Sequence, residues 1–162
     1  MADVMILAAA VEDAPQILAL QRRAFQSEAA LYDDYAIPPL TQTLEQLQAE
    51  FDTHLILKAV IGMDIIGSVR GRMKEASCYI GRLMVHPDSQ GRGIGRLLMT
   101  AIEAQMDADR FELFTGDRSI ANLKFYHALG YREIYRAEKT PKIRIVCMEK
   151  VRNLAAPEAG RM

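Results

Sequence analysis

One run constrains this chain more than any other: Leu83, Met84, Val85, His86, Pro87, Asp88, Ser89, Gln90, Gly91, Arg92, Gly93, Ile94, Gly95 and Arg96 in unbroken order. An apolar stretch stops at a Pro-Asp-Ser turn. Glycine then occupies alternate positions, and a helical pattern begins. A fold that accommodates this must lead a strand into a tight loop and out into a helix. The glycines lack the Cβ atoms that would hold a ligand away from the backbone. The first N–H groups of a helix have no intrahelical partner, and the helix dipole adds partial positive charge there. Such a junction suits phosphate or pyrophosphate, and Arg92 and Arg96 add formal positive charge beside it.

The rest of the composition narrows the class. A chain of 162 residues, half of them apolar, predicts one domain with an adequate core. A net charge of −1 argues against a nucleic-acid surface, which needs a basic patch. Cys78 and Cys147 each sit in an apolar strand-like run and are too few for a disulfide scaffold. Cys78 has no histidine near it in sequence and reads as a buried structural thiol. His54, His86 and His127 lack metal-ligand spacing, so no metal is expected. No signal-peptide pattern opens the chain. The longest apolar run, residues 5–11, is far short of the ~20 needed to span a bilayer. The expectation is a cytoplasmic protein with no membrane partner.

Periodicity gives the elements. Residues 5–10 read as a strand. A helix over residues 13–27 follows, with acidic residues and Pro15 in its first turn and Ile17, Leu20, Ala24 and Phe25 at helical spacing. Residues 28–40 read as a loop rich in acidic and aromatic residues. Thr43 and Gln46 can form a capping box for a second helix ending near Phe51. Strands are predicted over residues 54–61, 64–73 and 77–85, a helix after the glycine loop, and a strand over 111–115. A helix over 120–129 stops at Gly130, and strands over 131–136 and 143–149 close the fold. The domain is expected to cover residues 1–152, with 153–162 a disordered tail. The order β-α-α-β-β-β-α-β-α-β-β predicts an α/β fold (α+β mixed) with one mixed sheet and helices on both faces.

Two well-known phosphate loops do not fit. No Gly-x-x-x-x-Gly-Lys-Ser/Thr run exists, and the glycine spacing and late position depart from the dinucleotide fingerprint. Gln90, Gly91, Arg92, Gly93, Ile94 and Gly95 instead match the Q/R-x-x-G-x-G/A signature of the GNAT N-acetyltransferase superfamily. Leu83, Val85 and Pro87 resemble its lead-in. Downstream, Asn122, Phe125, Tyr126, Gly130 and Tyr131 resemble its second motif. The resemblance covers roughly residues 4–150.

This resemblance implies a central, mostly antiparallel sheet with a splayed strand pair, and acetyl-CoA as acyl donor. The backbone of Gln90, Gly91, Arg92, Gly93, Ile94, Gly95 and Arg96 would take the pyrophosphate. Leu83 and Val85, with Met84 between them, would offer backbone groups to the pantetheine arm and to the thioester oxygen. Tyr126 is the candidate general acid, since a phenol with a pKa near ~10 keeps its proton at neutral pH. Asn122 lies one helical turn before Tyr126 and would hydrogen-bond the pantetheine or cap the helix. Lys124 and Arg118 either reach cofactor phosphates or are solvated.

The base is left open. Some members of the superfamily carry a glutamate on the strand before the loop; Tyr79 stands at that place. A water chain, or one of Glu28, Asp33, Asp34, Glu133 and Glu138, must then take the amine's proton. Strict alternation puts Tyr79, Gly81, Leu83 and Val85 on one face of that strand. The acceptor site implied by the resemblance is walled by the loop over residues 28–40 and the last hairpin. Glu28, Tyr32, Tyr35 and Tyr79 are its candidate binding residues, because carboxylates and tyrosine faces attract an ammonium. A small-molecule or peptide amine is the expected acceptor: a polyamine, an amino-sugar, an amino acid or a peptide N-terminus. A homodimer is compatible with the chain. The alternative function is a non-catalytic acyl-CoA-binding sensor.

Overall fold

The computed structural model describes residues 3–152, so the expected tail at 153–162 lies outside the described residues. The chain runs β1 (Met5–Ala8), α1 (Ala14–Ala24), α2 (Gln26–Tyr32), α3 (Pro38–Thr41), α4 (Leu44–Glu50), β2 (Leu55–Ile61), β3 (Asp64–Lys74) and β4 (Ser77–Val85). It continues α5 (Ile94–Gln105), β5 (Arg110–Gly116), α6 (Ile120–Ala128), β6 (Arg132–Thr140) and β7 (Ile143–Val151). The strands form one sheet in the order β1-β2-β3-β4-β5-β7-β6. Every neighbouring pair is antiparallel except β4 with β5, which is parallel. The mixed, mostly antiparallel sheet predicted from the sequence is the one found.

Helices cover both faces because successive strand residues point opposite ways. Leu98, Met99 and Ile102 of α5 are buried against Leu57, Val69 and Cys78. On the other face Ala14, Ile17 and Leu18 of α1 pack with Leu47 of α4 on Ile56. The expected capping box forms at α4: the Gln46 N–H donates to Thr43 Oγ1 at 3.1 Å, and the Thr43 N–H donates to Gln46 Oε1 at 3.0 Å. Among the described residues no helix is long and apolar enough to cross a membrane.

Two features depart from the sequence expectation, and both shape the site. The helix expected over 13–27 breaks at Phe25, whose backbone leaves the helical region (φ −89°, ψ 5°), and resumes as α2. Residues 28–32, expected to be loop, are therefore helical, and the same expected loop ends in the short helix α3 from Pro38. No proline or glycine marks this break, which is why periodicity alone runs through it.

The second departure is a β-bulge in β4. Ser68 pairs with Met84 and Arg70 with Gly81, so Arg82 and Leu83 together face the single residue Val69. Arg82 takes φ 51° to make the bulge, a left-handed conformation that costs a non-glycine residue about 1–3 kcal/mol. One extra residue reverses the alternation beyond it. Leu83 and Val85 therefore pack on the α5 side with Cys78 and Ile80, not with Tyr79 and Gly81 as strict alternation predicts. Already before the bulge β4 leaves β5: the two pair only at residues 77–79 with 110–112.

Leu98 is fully buried under the sheet. Leu98→Ala should therefore lower the unfolding free energy by about 2–5 kcal/mol, measured by urea denaturation. A loss under about 1 kcal/mol would show that α5 is not packed as described.

Candidate active site

The glycine loop ends in a helix start with nothing to cap it. Gly93 is the N-cap residue of α5, with φ 78° and no side chain to offer, and Gly91 also has positive φ at 80°. The first-turn N–H groups of α5 thus point out of the helix without a capping acceptor. Before the loop, the chain is locked: the Ser89 N–H donates to the His86 carbonyl at 2.8 Å, and the Asp88 N–H donates to His86 Nδ1 at 3.0 Å.

A cavity of about 580 Å³ opens at this helix end, between the end of β4, the glycine loop and residues of α1, α2 and α6. Of the residues predicted from the loop motif, Gln90, Gly91, Gly93, Ile94, Gly95 and Arg96 line it. So do Leu83, Met84, Val85 and Asn122. Arg92 is exposed and does not. A second cavity of about 400 Å³ continues past the bulge, lined by Tyr32, Arg82, Phe114, Tyr126, Lys139 and Ile143 among others. Phe25, Glu28, Leu83 and Asn122 line both. The two cavities meet where α2, β4 and α6 converge.

At that meeting point Glu28 Oε1 accepts from Ser119 Oγ and from Asn122 Nδ2, each at 2.8 Å. Asn122 Nδ2 also donates to Thr115 Oγ1 at 3.3 Å. These bonds fix the glutamate and the amide while leaving Glu28 Oε2 and Asn122 Oδ1 without a protein partner among the described residues. Tyr126 sits one turn of α6 further on and is 8% exposed. Its hydroxyl donates to no protein group among the described residues, yet it is not sealed off. Burial, and secondarily the Glu28 carboxylate, push its phenol above the usual tyrosine range, so it holds its proton at neutral pH.

Tyr32 does a different job. Its hydroxyl donates to Asp117 Oδ1 at 2.9 Å and accepts from the Arg118 N–H at 2.7 Å, and the Arg118 guanidinium lies 5.4 Å from its ring centre. Burial and Asp117 drive its phenol up to about 12 despite the Arg118 bond. It clamps α2 to the β5–α6 turn. Tyr35 and Tyr79 are exposed and line neither cavity. Tyr79 lies where β4 and β5 are still paired. Of the carboxylates weighed as bases, only Glu28 reaches the cavities; Asp33, Asp34, Glu133 and Glu138 do not line them, nor do Lys124 and Arg118. Cys78 is fully buried, and burial pushes its thiol up to about 11, which removes it as a nucleophile.

Sequence reasoning missed several lining residues. Phe25 enters through the helix break, Arg82 through the bulge, and Arg70 and Lys139 from neighbouring strands. Arg70 is ion-paired with Glu50. Arg82 Nη1 donates only to Gln42 Oε1, at 3.0 Å, and makes no ion pair among the described residues.

A family model described as an acetyltransferase (GNAT) domain matches residues 28–152. The chain belongs to the GNAT acetyltransferase family. Solved GNAT structures share its fold. The PaiA N-acetyltransferase of Thermoplasma acidophilum, determined in complex with coenzyme A, is 18% identical with a TM-score of 0.77 over 92% of this chain and 99% of that one. The ribosomal-protein-S18-alanine N-acetyltransferase of Escherichia coli is 16% identical, with a TM-score of 0.75 over 94% and 99%. A curated relative from Bacillus subtilis, UPF0157 protein YqkA, is 28% identical over 121 residues, 74% of this chain. The chain spans about a third of that relative's length, 35%.

A Cβ added at Gly116 would lie 2.8 Å from the Tyr32 ring, which its hydrogen bonds hold in place. Gly116→Ala is expected to destabilise by about 1–3 kcal/mol. Tyr32→Ala should cost less in that background than in the wild type, measured as coupling in a double-mutant cycle. Additive effects would contradict the clamp.

Proposed function

We propose that this GNAT chain transfers the acetyl group of acetyl-CoA to a primary amine by direct attack. One observation carries the reading: a cleft at an uncapped helix start shares Glu28 and Asn122 with a second cavity, which lies where β4 and β5 are no longer paired and which Tyr126 also lines.

The residues suit the donor. The first-turn N–H groups of α5 and the Arg96 side chain, which border the first cavity, would take the pyrophosphate. From Ile80 onward β4 has no β5 partner, so Leu83, Met84 and Val85 offer backbone groups to an extended amide-bearing arm as a strand would. Asn122, its Nδ2 engaged by Glu28 and Thr115, keeps its side-chain carbonyl for an amide N–H of the same arm. Bound acetyl-CoA supplies the acyl group as a thioester, activated toward an amine. Backbone N–H groups of β4 stabilise the negative charge that develops on the carbonyl oxygen.

The chain's acids and bases divide the proton work. Glu28, fixed through one oxygen, presents the other to the ammonium of the acceptor and receives its proton. Tyr126, kept protonated by its raised pKa, donates its proton to the departing sulfur, and the second proton shed by the nitrogen as the amide forms restores the phenol. Cys78 is fully buried and offers no thiol for an acyl-enzyme, in keeping with direct attack.

Thiol release from acetyl-CoA across a panel of amines tests the reading. Turnover supports it, and tight binding without turnover across the panel would favour a sensor. Gly93→Glu puts a carboxylate against the pyrophosphate and should weaken CoA binding at least roughly 100-fold; unchanged affinity by calorimetry would refute the donor placement. Tyr126→Phe should lower kcat by roughly 100-fold or more while leaving CoA affinity intact. Because burial holds the Tyr126 proton, wild-type kcat should not fall between about pH 7 and 10. An alkaline fall within that range would contradict Tyr126 as the acid.

A further inference from the structure

The second cavity carries a charge pattern that an ordinary amine does not need. Its walls are largely apolar, with Ile37, Pro38, Phe114, Ile143 and Ile145. Three cations face it: Arg70, Arg82 and Lys139. Arg70 is neutralised by Glu50, and Lys139 is exposed, with its ammonium 5.0 Å from the Phe114 ring centre. Arg82 is the exception. It is partly buried, and its only protein partner among the described residues is the side-chain carbonyl of Gln42. That oxygen is shared with Gln21, whose Nε2 donates to it at 2.9 Å. Guanidinium groups present five donors in a planar fork, and four of those on Arg82 have no protein acceptor. Removal from water, together with the neighbouring Arg70 charge, lowers its pKa to about 10. The unpartnered nitrogens of Arg82 are not sealed in the protein but stay accessible to the cavity, and a half-desolvated guanidinium gains from an anionic partner there.

The backbone repeats the message. Arg82 occupies the left-handed conformation of the bulge at φ 51°, a strained position of the kind that clusters at ligand sites. That strain aims the side chain into the second cavity beyond the point where the two cavities meet.

We propose that the acceptor is an amino acid–type molecule whose carboxylate is bound by Arg82 while its amine faces Glu28. A carboxylate matches the planar fork of a guanidinium in a bidentate pair and supplies the missing counter-charge. The apolar walls accommodate a hydrocarbon portion between or beside the two charged groups. A polyamine fits poorly, because Arg82 would repel its second cation. This inference rests on the acetyl-transfer reading above and specifies its acceptor.

The test compares acceptors that differ only in charge: α- and ω-amino acids, their carboxamides, the decarboxylated amines, and aminoalkyl phosphates. The wild type should prefer the amino acid over its carboxamide by roughly 10- to 100-fold in kcat/KM, the value of a charge-assisted pair. In Arg82→Gln that ratio should collapse toward one, mainly through KM for the acceptor, with CoA affinity unchanged. Arg82→Lys should retain part of it. If Arg82→Gln does not fold, the wild-type panel still decides. Equal use of amino acids and carboxamides would overturn this inference alone, as would preference for the phosphates. Failure of every amine would overturn acetyl transfer itself, and this inference with it.

Discussion

The bulge at Arg82 and Leu83 is the constraint on which the rest of the site depends. The pairing of β4 with β5 stops at Tyr79 and Glu112, and the extra residue follows in the unpaired stretch. It turns Leu83 and Val85 toward α5 and leaves Arg82 on the side of the second cavity. The cost is a strained residue of about 1–3 kcal/mol. The surrounding pairs, Ser68 with Met84 and Arg70 with Gly81, hold it in place.

The glycine loop and the bulge then work at opposite ends of one path. At the loop, missing side chains expose an uncapped helix start to anions. At the bulge, a broken ladder exposes strand backbone. Between them, α2 and α6 bring Glu28, Asn122 and Tyr126 together, with Ser119 and Asn122 both bonded to the same glutamate oxygen. The Tyr32 clamp on Asp117 and Arg118 fixes α2 against that junction. Under the proposed chemistry, rigidity here has a purpose: proton donors and acceptors act only when held within hydrogen-bond reach.

Much of this was legible in the sequence, and the illegible parts share a cause. The loop motif, the Asn122–Tyr126 spacing and the element order depend on local patterns, which sequence carries directly. The helix break at Phe25 has no proline or glycine to announce it, so residues 28–32 read as loop although Glu28 and Tyr32 are helical. The bulge depends on how β3 pairs with β4, a long-range register that no local pattern in residues 77–85 encodes. Arg82, Arg70 and Lys139 went unread for the same reason: each is an ordinary charged residue until the sheet assembles around it. Tyr35 and Tyr79 drew notice for their chemistry and lie away from both cavities.

Donor binding in this site depends on the open edge of β4. Amide hydrogen exchange measured with and without acetyl-CoA tests this most directly. The account predicts that the cofactor slows exchange in two stretches, residues 83–85 on the strand and residues 93–96 at the helix start, with little change in β1 or β2. Protection elsewhere, with those two stretches unaffected, would contradict it.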